Sequence, residues 1–149
     1  MSPFRASSGN YLIASSEGRS VDLEAAPGGP DMVARSAGPR LVHTNHFLRS
    51  DAPFEDTAVH EPGSTSRHRL SAASRSLEGF PRCDIEGILT VLRDHDGRPG
   101  SVCKHRNPSL EVWDDSVTVA AMAADLTEGT VWISQGPPCE APLDAFSLR

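Results

Sequence analysis

Three polar residues that are capable of acid, base or hydrogen-bond chemistry lie together in the first third of the chain: His43, Asn45 and His46. A side-chain NH2 that is held in place can stabilise the oxyanion of an acyl-transfer reaction by about 3–4 kcal/mol. A histidine beside such a site can orient a partner or act as acid or base. Alternatively, Asn45 hydrogen-bonds its own turn and the histidines are packed. The residues alone leave both interpretations open.

Cys103 and His105 form a second candidate, because alternate residues of an extended segment share a face and a cysteine beside a histidine can be a nucleophile. No neighbouring residue is an evident third, orienting group, so packing is the favoured interpretation. Ser66 and Arg67 form a third candidate that could hold a substrate carboxylate through bidentate hydrogen bonds. A helix cap followed by a solvated arginine is the favoured alternative there.

The cysteines do not follow a metal-binding pattern. The chain has three, Cys83, Cys103 and Cys139, together with six histidines. Their spacing does not match the usual C-x2-4-C…H-x3-5-H arrangement of zinc sites, so we expect no metal. An odd number of cysteines outside a small secreted scaffold also argues against a disulfide framework.

The composition excludes several classes of protein. The 149 residues include 14 Lys and Arg against 20 Asp and Glu, which gives a formal charge of −6 and argues against a nucleic-acid-binding domain. There is no apolar run near the roughly 20 residues of a membrane span. The first eight residues lack the apolar stretch of a secretory signal. We therefore expect a soluble cytoplasmic protein.

The pattern of residues predicts short strands and helices. Residues 10–14 and 20–24 read as a hairpin with a turn at Gly18, and the Pro- and Gly-rich residues 25–40 read as a loop. Apolar spacing predicts a helix over residues 64–77 and a second one over residues 84–93, which Asp84 would cap.

Near the C-terminus, residues 116–126 read as a strand that is covered on both faces, paired in a hairpin with residues 130–134. A helix is the alternative for the Ala-rich half of residues 116–126. Strands, then helices, then strands predict an α+β fold.

The order of several short motifs resembles a known family. The chain is similar over nearly its whole length to acyl-coenzyme A:6-aminopenicillanic-acid acyltransferase (isopenicillin N acyltransferase)-like proteins, which are N-terminal-nucleophile hydrolases. The matching segments are Gly9-Asn10-Tyr11-Leu12-Ile13-Ala14, His43-Thr44-Asn45-His46-Phe47, the segments 64–77 and 94–97, Ser101-Val102-Cys103-Lys104-His105, and Gly136-Pro137-Pro138-Cys139. No single motif is specific, but their shared order is.

The resemblance implies an αββα sandwich, of which residues 1–149 would be the C-terminal portion. It implies a small-molecule amide or acyl-coenzyme A substrate and no cofactor. An N-terminal cysteine would form an acyl-enzyme with its own α-amino group as base, since that amine titrates near pH ~8. Asn45 would stabilise the oxyanion, and His46 would contact the substrate.

The resemblance does not assign a nucleophile, because the family's cysteine lies well upstream of the segment that corresponds to Gly9. We therefore expect this chain to be inactive alone. Its partner would be a missing N-terminal portion or a second copy of itself.

The alternatives are a non-catalytic remnant that acts as a binding or structural module, and a self-sufficient hydrolase that uses Ser66 or Cys103. The family often has a serine where this chain reads Val119-Ala120-Ala121-Met122, which puts its substrate class in question.

Overall fold

The N-terminal sheet is built on the hairpin that the sequence predicts. In this antiparallel hairpin β1 (Gly9–Ala14) pairs with β2 (Ser20–Ala25), and Gly18 takes a positive φ of 76° in the turn.

The computed structural model describes residues 7–28, 32–35, 40–49, 55–61, 63–80, 84–111 and 115–149. The chain divides into two units, Met1–Leu70 and Ser71–Arg149, and each is considered by itself.

A third strand, β3 (Met32–Arg35), pairs with β2, so the strand order is β1-β2-β3. The prediction of a loop over residues 25–40 was therefore wrong at these four positions. So short a strand is stabilised mainly by pairing and packing with its neighbour, and the Pro- and Gly-rich composition around it masks the weak local preference.

Two helices follow at the predicted places. The first, α1, spans Ser66–Glu78, and the second, α2, spans Ile85–Leu92. Asp84 is the N-cap of α2, as predicted: its Oδ1 accepts from the backbone N–H of Gly87 at 2.9 Å. This bond satisfies one of the amide groups that a helix leaves unpaired in its first turn.

Replacing Asp84 by alanine is expected to lower the free energy of unfolding by about 1 kcal/mol, because the Gly87 N–H loses its acceptor. Asp84→Asn is the matched control, since asparagine caps helices about as well as aspartate. Urea unfolding followed by circular dichroism measures both variants. Equal losses for alanine and asparagine would show that the cap bond is not the source of the effect.

The second unit contains another antiparallel sheet, in which β4 (Ala120–Asp125), β5 (Thr130–Gln135) and β6 (Leu143–Ser147) are adjacent in that order. The hairpin of β4 and β5 was predicted, whereas β6 was not. Helix α2 packs against β4.

The prediction that the β4 segment is covered on both faces was wrong. Ala123 is 4% exposed, whereas Met122 on the other face is 66% exposed. Small and apolar residues on both faces of a strand do not by themselves indicate that both faces are buried.

Helices combined with antiparallel sheets agree with the predicted α+β class. The αββα sandwich stays a prediction. Within the part of the chain that the structure describes, no helix has the length and apolarity needed to cross a bilayer.

Candidate functional site

Asn45 lies in an irregular segment that the start of α1 holds in place. Its backbone N–H donates to Ser66 Oγ at 2.9 Å, and Arg69 Nη2 donates to its side-chain Oδ1 at 2.7 Å. A guanidinium has only donors, so the amide atom that faces Arg69 must be the oxygen. Among the described residues, the NH2 group of Asn45 has no acceptor. Its donors are therefore available to a bound group.

Asn45 lines a small open pocket of about 110 Å³ in the first unit. Asn45 is exposed, so it is accessible from solvent. The residues that line the pocket come from the start of β1 and from the segment around Asn45: Ser8, Gly9, Asn10, His43, Asn45, His46 and Phe47. Two of the motifs behind the family resemblance thus meet at one cavity.

Ser66 is the buried junction of this segment, with 2% of its surface exposed. Besides the Asn45 N–H, its Oγ lies 3.0 Å from Thr44 Oγ1 and 2.7 Å from His46 Nδ1. Thr44 Oγ1 also donates to the Ser66 carbonyl at 3.0 Å. Because the hydroxyl is buried and shared in this way, it cannot contact a substrate carboxylate or attack a substrate without disrupting the segment.

His46 is also buried, with 7% of its surface exposed, and it lines the same pocket. These hydrogen bonds can all form if each hydrogen is donated once. His46 Nδ1–H then donates to Ser66 Oγ, the Ser66 hydroxyl donates to Thr44 Oγ1, and the Thr44 hydroxyl donates to the Ser66 carbonyl. Burial lowers the pKa of His46 below its ordinary value of 6.5, and the charge of Arg67 lowers it further. The ring is therefore neutral at pH 7, and this ordering leaves Nε2 as an acceptor.

The lowered pKa of His46 predicts a loss of stability on mild acidification. Below about pH 6.5, His46 becomes protonated in the unfolded chain but stays neutral in the folded protein, because its folded-state pKa is lower. The free energy of unfolding therefore falls as the pH drops from 6.5 toward the folded-state pKa. His46→Asn removes this titration. The wild-type protein should lose more stability than the variant between pH 7.5 and 5.5 in urea titrations. A difference between the two proteins that does not change with pH would contradict the assignment.

His43 lines the same pocket and also belongs to a buried acidic cluster. Its Nε2 lies 2.8 Å from Glu24 Oε1 and 3.6 Å from Asp22 Oδ2. Leu48 N–H also donates to Glu24 Oε1, so this carboxylate binds both sides of the Asn45 segment. Burial raises the pKa of Asp22, with His43 opposing the shift. Asp22 Oδ1 and Glu24 Oε2 have no hydrogen-bond partner among the described residues.

Sequence reasoning missed this cluster, because polar and apolar residues that alternate along a strand usually place the apolar ones on the buried face. The opposite face is the more buried one: Asp22 is 3% and Glu24 1% exposed, whereas Val21 and Leu23 are of intermediate burial. Buried acids are uncommon unless they are paired. The available signal was a pair of acids at alternate positions of a strand, which becomes informative only once a histidine partner is known.

A second group of reactive side chains lies in the second unit. Cys103 Sγ is 3.6 Å from Cys139 Sγ and 3.7 Å from His105 Nε2, and Cys139 Sγ is 3.2 Å from the same nitrogen. His95 Nε2 also lies 3.0 Å from His105 Nε2, and Glu140 Oε1 lies 3.2 Å from His105 Nδ1. Sequence reasoning missed His95 and Glu140, and it did not predict that Cys139 lies close to Cys103 and His105.

Cys103 has none of its surface exposed, and burial, helped by the neighbouring Cys139, raises its pKa to about 11. A buried thiol of that pKa is protonated at neutral pH and is a poor nucleophile. The hypothesis of a self-sufficient hydrolase based on Cys103 therefore has little support. Cys83 lies outside the described residues.

Comparison with known proteins agrees with the resemblance. Residues 2–139 match the family described as Acyl-coenzyme A:6-aminopenicillanic acid acyl-transferase. The match includes the Asn45 segment and all three cysteines. A search of curated proteins found no individual protein that matches the chain.

Proposed function

The chain belongs to the acyl-coenzyme A:6-aminopenicillanic acid acyl-transferase family, and from this premise we propose that its first unit supplies the oxyanion-binding amide of an acyl-transfer site. The substrate is an acyl thioester or a small amide. A cysteine thiol attacks the carbonyl carbon while the α-amino group of that cysteine takes the thiol proton. The carbonyl oxygen gains negative charge as the tetrahedral intermediate forms, and Asn45 Nδ2–H donates to it.

The intermediate then collapses to an acyl-enzyme, and the coenzyme A thiol or the amine leaves with the proton from the α-ammonium. An acceptor amine or water then attacks the carbonyl carbon of the acyl-enzyme and gives its proton to the α-amino group. The second tetrahedral intermediate collapses with cleavage of the thioester bond, which releases the acyl product and returns the proton to the cysteine sulfur. The same Asn45 amide therefore serves both halves of the reaction. His46 lines the pocket, and its Nε2 is proposed to accept a hydrogen bond from the substrate.

The bond from Arg69 to Asn45 Oδ1 is the observation that carries this proposal. An amide that turns freely would have to be oriented during the reaction, which reduces its benefit. An amide that is already oriented donates to the developing charge without further reorganisation. Because Ser66 also binds the backbone of Asn45, both the position and the rotation of the donor are fixed by α1.

We propose that the nucleophile lies in sequence upstream of residue 1, in a longer gene product. In the family the cysteine lies upstream of the segment that corresponds to Gly9, whereas all three cysteines of this chain follow Asn45 in sequence. Together with the upstream portion, the chain would form the αββα sandwich of an N-terminal-nucleophile hydrolase.

Two measurements test the proposal. The genomic sequence upstream of Met1 is expected to extend the reading frame and to contain a cysteine at a processing junction. The extended protein should release free coenzyme A from an acyl-coenzyme A in the presence of 6-aminopenicillanic acid, whereas residues 1–149 alone should not.

Turnover by residues 1–149 alone, abolished by Cys103→Ala or Ser66→Ala, would overturn the proposed origin of the nucleophile. A stop codon directly before Met1, with no second chain to supply a cysteine, would end the enzymatic proposal. The chain would then be a binding or structural module.

A further inference from the structure

Four potential metal ligands converge in the second unit: His95, Cys103, His105 and Cys139. They come from the turn after α2, from the segment that follows it, and from the connection between β5 and β6. One ligand atom from each residue lies within 4.8 Å of all the others. This unit is distinct from the one that contains Asn45, so the inference goes beyond the proposed function.

Four of the six distances between ligand atoms in this cluster are close to those of a tetrahedral zinc site, and the remaining two, from His95 to the two sulfurs, lie within 4.8 Å. Bonds of about 2.3 Å to sulfur and about 2.05 Å to nitrogen require separations of about 3.8 Å between two sulfurs, 3.6 Å between sulfur and nitrogen, and 3.4 Å between two nitrogens. The corresponding distances here are 3.6 Å between the sulfurs, 3.7 and 3.2 Å from the sulfurs to His105 Nε2, and 3.0 Å between the histidine nitrogens.

Hydrogen bonds alone do not account for the arrangement. His105 Nε2 lies within bonding distance of three atoms, His95 Nε2, Cys103 Sγ and Cys139 Sγ. A neutral imidazole nitrogen has either one hydrogen or one lone pair there, so it satisfies one of the three. A cation at the centre would satisfy all four ligand atoms at once.

The surroundings of His105 also suit a metal ligand. Its other ring nitrogen, Nδ1, faces Glu140 Oε1 at 3.2 Å. A carboxylate that accepts the Nδ1 hydrogen leaves the Nε2 lone pair for a metal and fixes the plane of the ring.

The backbone on both sides of the cluster is tied down. Cys103 N–H donates to the Asp94 carbonyl at 2.9 Å, and the Ser101 hydroxyl donates to the Cys103 carbonyl at 2.6 Å. On the other side, Arg93 Nε donates to the Pro138 carbonyl at 2.9 Å, immediately before Cys139. The ligands are thus positioned by the fold before any ion binds.

We propose that His95, Cys103, His105 and Cys139 bind one Zn²⁺ as a closed structural site. Two thiolates and two imidazoles in tetrahedral arrangement are the ligand set of structural zinc, and four protein ligands leave no position for substrate. Binding releases the two thiol protons to solvent. The ion cross-links the turn after α2 to the connection between β5 and β6. The zinc-finger spacing rule does not detect such a site, because its ligands come from three separate segments.

The test uses untagged residues 1–149, purified under reducing conditions and stripped with a chelator. Titration with Zn²⁺ and elemental analysis should give one ion per chain. Co²⁺ should give the absorption bands of tetrahedral thiolate coordination. The ion should also raise the melting temperature of the chain.

Cys139→Ser and His105→Asn should lose the site, whereas Cys83→Ser, the matched thiol control, should retain it. Glu140→Ala should weaken Zn²⁺ binding about 10–100-fold, as removal of a carboxylate that orients a metal-bound histidine does. Glu128→Ala, an exposed acid elsewhere in the second unit, should not. If Cys139→Ser fails to fold, protection of the exposed Cys139 from iodoacetamide by Zn²⁺ in the wild-type chain gives the same information.

The proposal fails if the reduced wild-type chain takes up no zinc, or if Cys139→Ser binds it as tightly as wild type. It also fails if Zn²⁺ does not slow the alkylation of Cys139. Recovery of the chain with a Cys103–Cys139 disulfide, and no zinc uptake after reduction, would assign the pair to a redox cross-link instead.

Discussion

Replacing Asn45 by aspartate is expected to lower kcat of the complete enzyme by at least about a hundredfold, as much as or more than alanine does. Alanine removes the donor to the oxyanion, and aspartate adds a negative charge that repels it. KM should change much less, because the lost interaction strengthens mainly in the transition state.

The structure makes the aspartate variant the sharper test. Arg69 donates to Asn45 Oδ1, so it can hold a carboxylate in the same place, and Ser66 still accepts from the backbone N–H. The fold and the melting temperature should therefore be retained while the rate falls. A residue that serves only its own turn would tolerate aspartate, which forms turns as well as asparagine does.

Asn107→Asp is the control for this experiment. Asn107 Oδ1 accepts from Ser109 N–H at 3.1 Å in a local turn, and aspartate can make the same bond. That variant should keep both its rate and its melting temperature. Near-wild-type turnover in Asn45→Asp would end the oxyanion assignment, whatever the alanine variant does.

Glu24→Ala is expected to reduce the free energy of unfolding by about 1–3 kcal/mol, because the buried His43 ring loses the acceptor of its Nε2 hydrogen bond. Its carboxylate accepts from His43 Nε2 and from Leu48 N–H, and both donors would lose this acceptor. Glu24→Gln should cost less, because the amide oxygen still accepts one of these bonds.

Glu17→Ala is the matched control in the same hairpin. Glu17 pairs with Arg19 at the exposed turn, and removal of such a surface pair changes stability by less than about 1 kcal/mol. Urea unfolding followed by circular dichroism compares the three variants with wild type. If Glu24→Ala loses no more than Glu17→Ala, the carboxylate does not hold the Asn45 segment in place.

The strands and helices that were predicted from the sequence are those that a local sequence feature specifies. The β1–β2 hairpin has a turn that Gly18 permits, and α2 has both an apolar stripe and a cap at Asp84. By contrast, β3 and β6 are short strands at the edge of their sheets among the described residues. Their stability depends on pairing with β2 and β5, which the local pattern does not encode.

The site was predictable only in its most local part. Asn45 and His46 were identified from a contiguous motif and a resemblance. Glu24 and Arg69 lie 19 and 24 residues from the residues they bind, His43 and Asn45. Charged residues are usually solvated, so nothing in the sequence marks these two as partners.

The zinc ligands illustrate the same limit over a longer range. Cys103 and Cys139 are 36 positions apart, and two of the three strands of the second sheet, β4 and β5, lie between them in sequence. Their meeting depends on the path that the chain takes through β4 and β5. A spacing rule derived from ligands in one short segment cannot anticipate it.

Ser66 and Arg69 lie three residues apart at the start of α1, and each of them makes a hydrogen bond to Asn45. The three positions should therefore be inherited together. In a lineage that has lost Asn45, no oxyanion-binding amide remains to be oriented, and Arg69 becomes free to drift. Ser66 would drift later, because it also holds Thr44 and His46. Among relatives, loss of Asn45 and Arg69 would therefore mark proteins that no longer catalyse acyl transfer. Loss of Ser66 as well would mark those that lost this activity earlier.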